Sequence, residues 1–478
     1  MDKIKLDPEI IQFIQGMPKT ALHMHIEGSF ESELAWSLAS KEGYGTKKPL
    51  IIPAPPGASA PNIKNGKYQV TSLAELKKVY NFNDLESFLN VYNTLATLLL
   101  KESDFTALAQ AYGEKCLSEN IRHAEIFFDP QTHLSRGIPF QTVVTGIQKW
   151  LQKARDKGMN IQLIMSILRD HKVGTSSDLG DITSTTYTDD SGNNPVTAWS
   201  VANCTVAWNK LTSLPGGSPT GQPSQWKIVG VGLDNDEIGF PPGLFTGPYE
   251  FLRNQGLFCV AHAGEEGPPA YIWESINKLK VVRVDHGVRS IEDPNLMAFM
   301  QSKRSTPQAL AAWGEPHDIP VTVCPLSNYK LKVFSDPTKT NIIDMLDLGV
   351  TATVNSDDPA YFGGYVTENY LFLLRALDPS IAKERSIDLA DIFRLAKNGF
   401  NSSVINPDMR EQFLNELITY FLTSPGNLYK NFRGTRENFQ DTRENFDLSS
   451  SKIGIGLIIG IPIVVIILTI IVLIYKKR

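Results

Sequence analysis

Cysteine is scarce: four in 478 residues, Cys116, Cys204, Cys259 and Cys324, far apart and without a C-x-x-C pair. That excludes a disulfide scaffold, and three of the four lie in apolar segments, as buried thiols in a reducing compartment do. Excess charge of one sign is missing too. The 46 Lys and Arg against 51 Asp and Glu leave a net charge of -5, so the chain has no basic footprint for nucleic acid. Residues 1–17 scatter charges among apolar side chains and do not read as a secretory signal. Long apolar runs are absent until the last one, 453–475, which is 23 residues without a charge, rich in Ile, Val and Leu. At about 1.5 Å per residue it is long enough to cross a hydrocarbon core of about 30 Å. A single-pass transmembrane helix is expected there, after a polar juxtamembrane linker over 431–452 and before the basic tail 476–478. Lys476, Lys477 and Arg478 outweigh Lys452 on the other flank, which by the positive-inside rule puts the tail in the cytosol. With no leader to export the body, the expectation is a tail anchor with the body also in the cytosol.

What is present is an ordinary globular composition, 42% hydrophobic and 20% charged, in a chain long enough for one large α/β barrel with additions. Helical patterns alternate with short, nearly continuous apolar runs. Asp84 is placed to cap a helix with Leu85, Phe88, Leu89 and Tyr92 on one face, and further helices are predicted near 103–119 and 140–157. Strands are predicted at 123–128, 161–168, 228–233, 257–261, 281–284, 319–323 and 351–354. With a first strand around His23 they make eight, each ending in a polar cluster. Apolar strands alternating with helices mark a parallel sheet covered on both faces, and eight such units fit a (β/α)8 TIM barrel whose site sits at the C-terminal strand ends. Three stretches interrupt the pattern as insertions. They are 41–70, rich in Pro, Gly, Lys and Asn; 173–225, rich in Ser, Thr, Gly, Asp and Asn, with room for a helix over 196–214; and 305–317.

The chemistry begins at Ala21-Leu22-His23-Met24-His25-Ile26-Glu27-Gly28. In an extended strand, side chains at i and i+2 point the same way, so His23 and His25 form a two-toothed chelate. The chain has only eight histidines, and two more, His262 and His286, stand at later strand ends. His23, His25 and His262 with Asp357 give three nitrogens and one carboxylate oxygen, a donor set suited to zinc. Glu265, three residues beyond His262 on a glycine turn, is placed for general acid–base work beside the metal. His286 is placed to hold or polarise the attacking water, and Asp358 to accept a hydrogen bond from substrate. Each residue alone has an ordinary structural explanation; their fall on successive strand ends of one barrel face is what singles them out.

The stretches H-x-H-x-E-G (23–28), H-A-G-E-E-G-P-P (262–269), R-V-D-H-G-V-R (283–289), C-P-L-S-N (324–328) and N-S-D-D-P-A-Y-F-G-G-Y (355–365) together resemble the adenosine/adenine deaminase family. The resemblance runs from about Met17 to Phe400, broken by the insertions. It is strongest toward the adenine deaminase branch, through Glu27, the 266–269 stretch E-G-P-P, Asp285, and H-A-E-I-F-F-D-P-Q-T-H over 123–133. It implies one Zn2+ per chain on His23, His25, His262 and Asp357, with Glu265 as proton donor to the purine, His286 assisting the hydroxide and Asp358 binding the base. The implied reaction is attack at C6 of adenine, loss of ammonia and release of hypoxanthine. The P-C-x-x-C signature of the other zinc nucleobase deaminases is absent. Two alternatives stay open on the sequence: an adenosine deaminase, and a catalytically silent, membrane-tethered purine-binding protein. Glu27 bears on the first, because a longer side chain there takes space that a ribose needs. The 173–225 insertion bears on the second, because displacement of a barrel helix would weaken the fold.

Overall fold

Mostly apolar runs such as 161–168, Ile-Gln-Leu-Ile-Met-Ser-Ile-Leu, have little polar surface to give to water, so their strands need cover on both faces. The computed structural model shows how they get it. It describes residues 4–424 except 56–59, 61, 81, 83, 84, 188–194, 213–225 and 383–385. The strands are β1 (Lys19–Ala21), β2 (Ile121–Phe128), β3 (Asn160–Leu168), β4 (Ile228–Asp234), β5 (Phe258–Ala263), β6 (Arg283–His286), β7 (Val321–Val323) and β8 (Ala352–Val354). They pair in chain order, each parallel to the next. The eight-stranded parallel barrel expected from the sequence is the fold.

Its seam is made by the H-x-H stretch itself. β1 is short, but the chain beyond it stays in register: Met24 bridges Asp357, and His25 bridges Phe127. Asp357 N donates to His23 O and His25 N donates to Asp357 O, each at 3.1 Å. The two ends of the sheet therefore meet at the residues expected to bind metal.

Two strands run further toward the site than expected. β5 reaches Ala263 and β6 reaches His286, so His262 and His286 are laddered strand residues rather than the first residues of a loop. Phe127, Ile164, Val260 and Val282 pack together in the core with Ala309, Ala312 and Trp313 of the helix Pro307–Trp313. That helix lies in the stretch read as the 305–317 insertion, and the indole Nε1 of Trp313 donates to Ser403 O at 3.1 Å. Within the stretch 41–70, Leu50–Pro53 and Ile63–Lys64 flank Lys67–Val70 in a small antiparallel sheet. Between β3 and β4, helix Ala198–Thr212 is in place, and its buried face includes Val201, Cys204, Thr205 and Trp208. The long segment has not displaced the connection's helix. Among the described residues no helix is long and apolar enough to cross a membrane. The apolar run 453–475, the linker 431–452, the basic tail and the Asp84 cap lie outside the described residues.

Candidate active site

All seven candidate residues from the sequence stand at the C-terminal end of the barrel, most of them along one cleft. It is lined by His25, His262, Glu265, His286, Asp357 and Asp358 on the floor, and by Leu85, Phe88, Leu89 and Tyr92 on one wall. Helix Leu85–Ala96 supplies that wall, on the apolar face its spacing predicts.

At the floor, His23 Nε2 lies 3.3 Å and His25 Nε2 3.5 Å from Asp357 Oδ1. His25 Nε2 and His262 Nε2 are 3.2 Å apart. Two imidazole nitrogens so close, beside a carboxylate, suit a shared cation. Among the described residues, two groups of side chains are close enough to hold a metal ion: His23, His262, His286 and Asp357, and His25, Asp234 and His262.

The tautomers can be read from the surroundings. Thr322 Oγ1 donates to Asp285 Oδ1 at 2.8 Å, so its lone pair accepts from His23 Nδ1 at 2.9 Å. His23 Nε2, fully buried, is then a bare lone pair with no hydrogen-bond partner. Asp234 does the same for two more of the candidate ligands. Its carboxylate oxygens lie 3.2 Å from His25 Nδ1 and 3.1 Å from His262 Nδ1, within ion-pair distance though not aligned as linear hydrogen bonds. Both Nε2 atoms are thereby turned to the same point. Burial opposes charge on His25, yet Asp234 outweighs it and raises the ring well above its ordinary value. A more basic imidazole is a better ligand. The donor set and the orphaned Nε2 of His23 fit a metal ion.

Beside this cluster, His286 Nε2 is 3.3 Å from Glu265 Oε2 and 3.7 Å from Asp357 Oδ2. Asn328 Nδ2 reaches both His286 Nδ1 and Glu265 Oε1 at 3.2 Å. Since Asn328 donates to Nδ1, the imidazole proton sits on Nε2 and faces the cleft. Burial drives His286 well below its ordinary value, so the ring is neutral. Burial, and then the Asp357 carboxylate, hold Glu265 well above the usual carboxylate range. Asp358 is raised for the same two reasons, and its buried Oδ1 has no partner. Asp357 is driven the other way: burial works upward, but the His23 ring outweighs it and holds the carboxyl well below its usual range. His286 (φ 59°) and Asp357 (φ 61°) are both in the left-handed region, an uncommon conformation for side-chain-bearing residues that concentrates at functional sites.

Glu27 departs from expectation. It does not line the cleft; its carboxylate turns into the wall, where Oε1 accepts from His133 Nε2 at 2.7 Å and from Asp129 N at 3.3 Å. Burial raises it to about 7. The group that faces the cleft is Asp129, held by Tyr92 OH at 2.7 Å, with Oδ1 unpartnered. Gly28 matters by size: a Cβ there would stand 1.9 Å from Asp358 Oδ1.

Sequence reasoning singled out no role for Asp234, Thr322, Asn328, Asp129 or Glu237. Asp234 carried one usable signal, a carboxylate closing an apolar strand as His262 does.

Comparison with known proteins gives a consistent set. Residues 18–192 and 224–420 match the family described as Adenosine deaminase. An adenine deaminase of Paraburkholderia xenovorans (strain LB400) is 39% identical over 400 residues, 84% of this chain and 92% of that protein. An adenine deaminase of Wolinella succinogenes is 38% identical over 412 residues, 86% of this chain and all of that protein. The crystal structure of adenine deaminase from Arthrobacter aurescens superposes with a TM-score of 0.64 at 32% identity, covering 85% of this chain and 100% of that one. An amidohydrolase crystallised with bound Zn shares the fold, with a TM-score of 0.62 at 21% identity over 88% of this chain and 96% of that one.

Proposed function

The chain belongs to the adenosine deaminase family, and from that premise we propose that it hydrolyses adenine to hypoxanthine and ammonia. The observation that carries this is the close approach of His23 Nε2 and His25 Nε2 to Asp357 Oδ1, at 3.3 and 3.5 Å, with His262 Nε2 3.2 Å from that of His25 and with Glu265 and His286 beside them. The relatives named adenine deaminase match over more than four-fifths of the chain, which favours the free base over the nucleoside.

His23, His25, His262 and Asp357 would hold one zinc ion, because three nitrogens and one oxygen suit that borderline metal. When bound, the metal supplies activated water near neutral pH. The remaining steps belong to the protein. His286, fixed by Asn328, directs its Nε2 proton at the attacking oxygen and holds it over C6. Glu265, kept protonated by its surroundings, donates to the ring nitrogen as the oxygen adds, so that C6 becomes tetrahedral without charge building on the ring. The hydroxyl proton then passes to the amino nitrogen, the C6–N bond breaks, and ammonia leaves as the C6 carbonyl forms. Asp358 hydrogen-bonds the purine edge, and the Leu85–Tyr92 wall covers its face.

The test is to incubate the purified full chain with adenine or adenosine, with and without a zinc chelator, and to separate the products by chromatography. Chelator-sensitive hypoxanthine from adenine, without inosine from adenosine, is expected. Inosine formed at a matching rate would move the protein to nucleoside chemistry, and no product from either would leave a binding protein.

The run 453–475 is proposed to anchor the chain as a single-pass span, with the catalytic barrel on the cytosolic side. What supports this is a chargeless stretch of 23 residues flanked by Lys452 and by Lys476, Lys477 and Arg478. Retention in membranes through alkaline extraction is the expected result; release into the soluble fraction would remove the span.

A further inference from the structure

The turn that carries Glu265 belongs to no helix or strand. It leaves β5 at Ala263 and runs through Gly264, Glu265, Glu266 and Gly267 to the helix Pro269–Glu274. Its backbone N–H groups nevertheless share one acceptor. Glu237 Oε1 accepts from Gly264 N at 2.6 Å, while Oε2 accepts from Glu265 N at 3.1 Å, Glu266 N at 2.9 Å and Gly267 N at 2.8 Å. Successive amides that converge in this way form a nest for an anion. Here the anion is a side chain of the same protein, only 3% exposed, from the segment that follows β4.

Both glycines of the turn are explained by this arrangement. Gly264 has φ +72°, which glycine adopts without steric cost. Gly267 must lack a side chain, since a Cβ there would lie 2.5 Å from Glu237 Oε1. On the other side, Arg289 Nη1 donates to Glu266 O at 2.6 Å and Arg289 N donates to Gly264 O at 2.9 Å. The turn is clamped by its N–H groups and by its carbonyls.

Resting on the reading of Glu265 as proton donor, we propose that Glu237 is a positioning residue whose carboxylate fixes the 264–267 turn and so aims the Glu265 carboxyl at the substrate ring. Its two oxygens are committed to four amides, so it acts through Glu265. It lies three positions after Asp234, which orients His25 and His262. The end of β4 and the turn after it then set both halves of the site, the proposed metal ligands through Asp234 and the proton donor through Glu237.

Glu237→Gln is the test, since it keeps the shape but turns one acceptor into an NH2 that opposes the amides. The full chain with its metal should lose roughly 10- to 100-fold in kcat with KM and metal content unchanged. Amide hydrogen exchange read by mass spectrometry should speed up over 264–267. In a Glu265→Gln background the same substitution should cost nothing more, because a residue that acts through another is silent once that partner is gone. Gly267→Ala, which displaces the carboxylate without removing it, should reproduce the kcat loss and guards against a variant that fails to fold. Unchanged exchange in Glu237→Gln, or losses that multiply in the double variant, would overturn the positioning role while leaving the proposed reaction standing. A wild-type chain inert toward purines would instead remove the Glu265 reading on which the proposal rests.

Discussion

Glu265 and Asp357 are both buried carboxyls on the same cleft, yet their surroundings push them in opposite directions. Asp357 faces His23, His25 and His286 and stays ionised; Glu265 faces other carboxylates and keeps its proton. Pairs of titratable groups driven apart in this way divide the labour of acid and ligand. Glu265→Gln preserves size and hydrogen bonding but has no proton to give. It should leave metal content unchanged, measured by atomic absorption, and cut kcat by roughly 10²- to 10⁴-fold, the usual worth of a positioned general acid. Retained turnover would take the proton-donor role from Glu265. His25→Ala should act differently, removing metal and activity together, since it deletes one tooth of the chelate. An active, metal-replete His25→Ala would show that the ligand set has been misassigned.

At the scale of elements, the strand ends decide what could be read in advance. The His23–His25 pair, His262, His286, Asp357 and Asp358 were legible because each closes an apolar run, and a parallel barrel brings such ends to one face. Asp234 closes the same kind of strand and Glu237 follows it, but their partners are residues of β1's extension, of β5 and of the turn after it. Only the curvature of the closed sheet sets those distances, and no periodicity in one segment encodes them. The Glu27 carboxylate was read as filling the cleft because nothing in the sequence tells which way a side chain leaves a three-residue turn; it points at His133 instead. The end of β4 carries its own prediction. Asp234→Asn keeps the volume but removes the charge that turns His25 and His262 toward the metal. Zinc affinity, measured by competition with a chelator, should fall roughly 10- to 100-fold, the usual cost of losing a carboxylate behind a ligand histidine. Unchanged affinity would reduce Asp234 to packing.

The whole barrel rests on a second buried polar layer beneath the ligands. Arg283 Nη1 meets Glu125 Oε2 at 2.5 Å, Arg283 Nη2 donates to Leu22 O at 2.9 Å, and Glu125 Oε1 lies 3.0 Å from His123 Nε2 and accepts from Val404 N at 2.7 Å. This layer ties β2, β6, the chain after β1 and the segment after the helix Leu389–Ser402. It also continues upward through Asp285 and Thr322 to His23, so the floor of the barrel and the orientation of a ligand are one network. Burial works to raise Glu125, but the Arg283 guanidinium outweighs it and holds the carboxyl at about 2, against an ordinary value of 4.5. The sign follows from which state binds the proton. Between those two values the unfolded chain takes up a proton that the folded chain refuses, so acid favours unfolding. The contribution is fully present above about pH 4.5, is worth about 3 kcal/mol, and is lost as pH falls toward 2. Glu125→Gln has no such proton to gain and leaves Arg283 buried without its anion, a loss of about 3–5 kcal/mol at neutral pH. The gap in thermal stability between wild type and Glu125→Gln should therefore be widest near neutrality and narrow steadily below pH 4.5, read by calorimetry on the full chain. A gap that stays constant down to pH 3 would mean that Glu125 takes up its proton equally readily in the folded and unfolded chains, so that Arg283 does not hold it ionised.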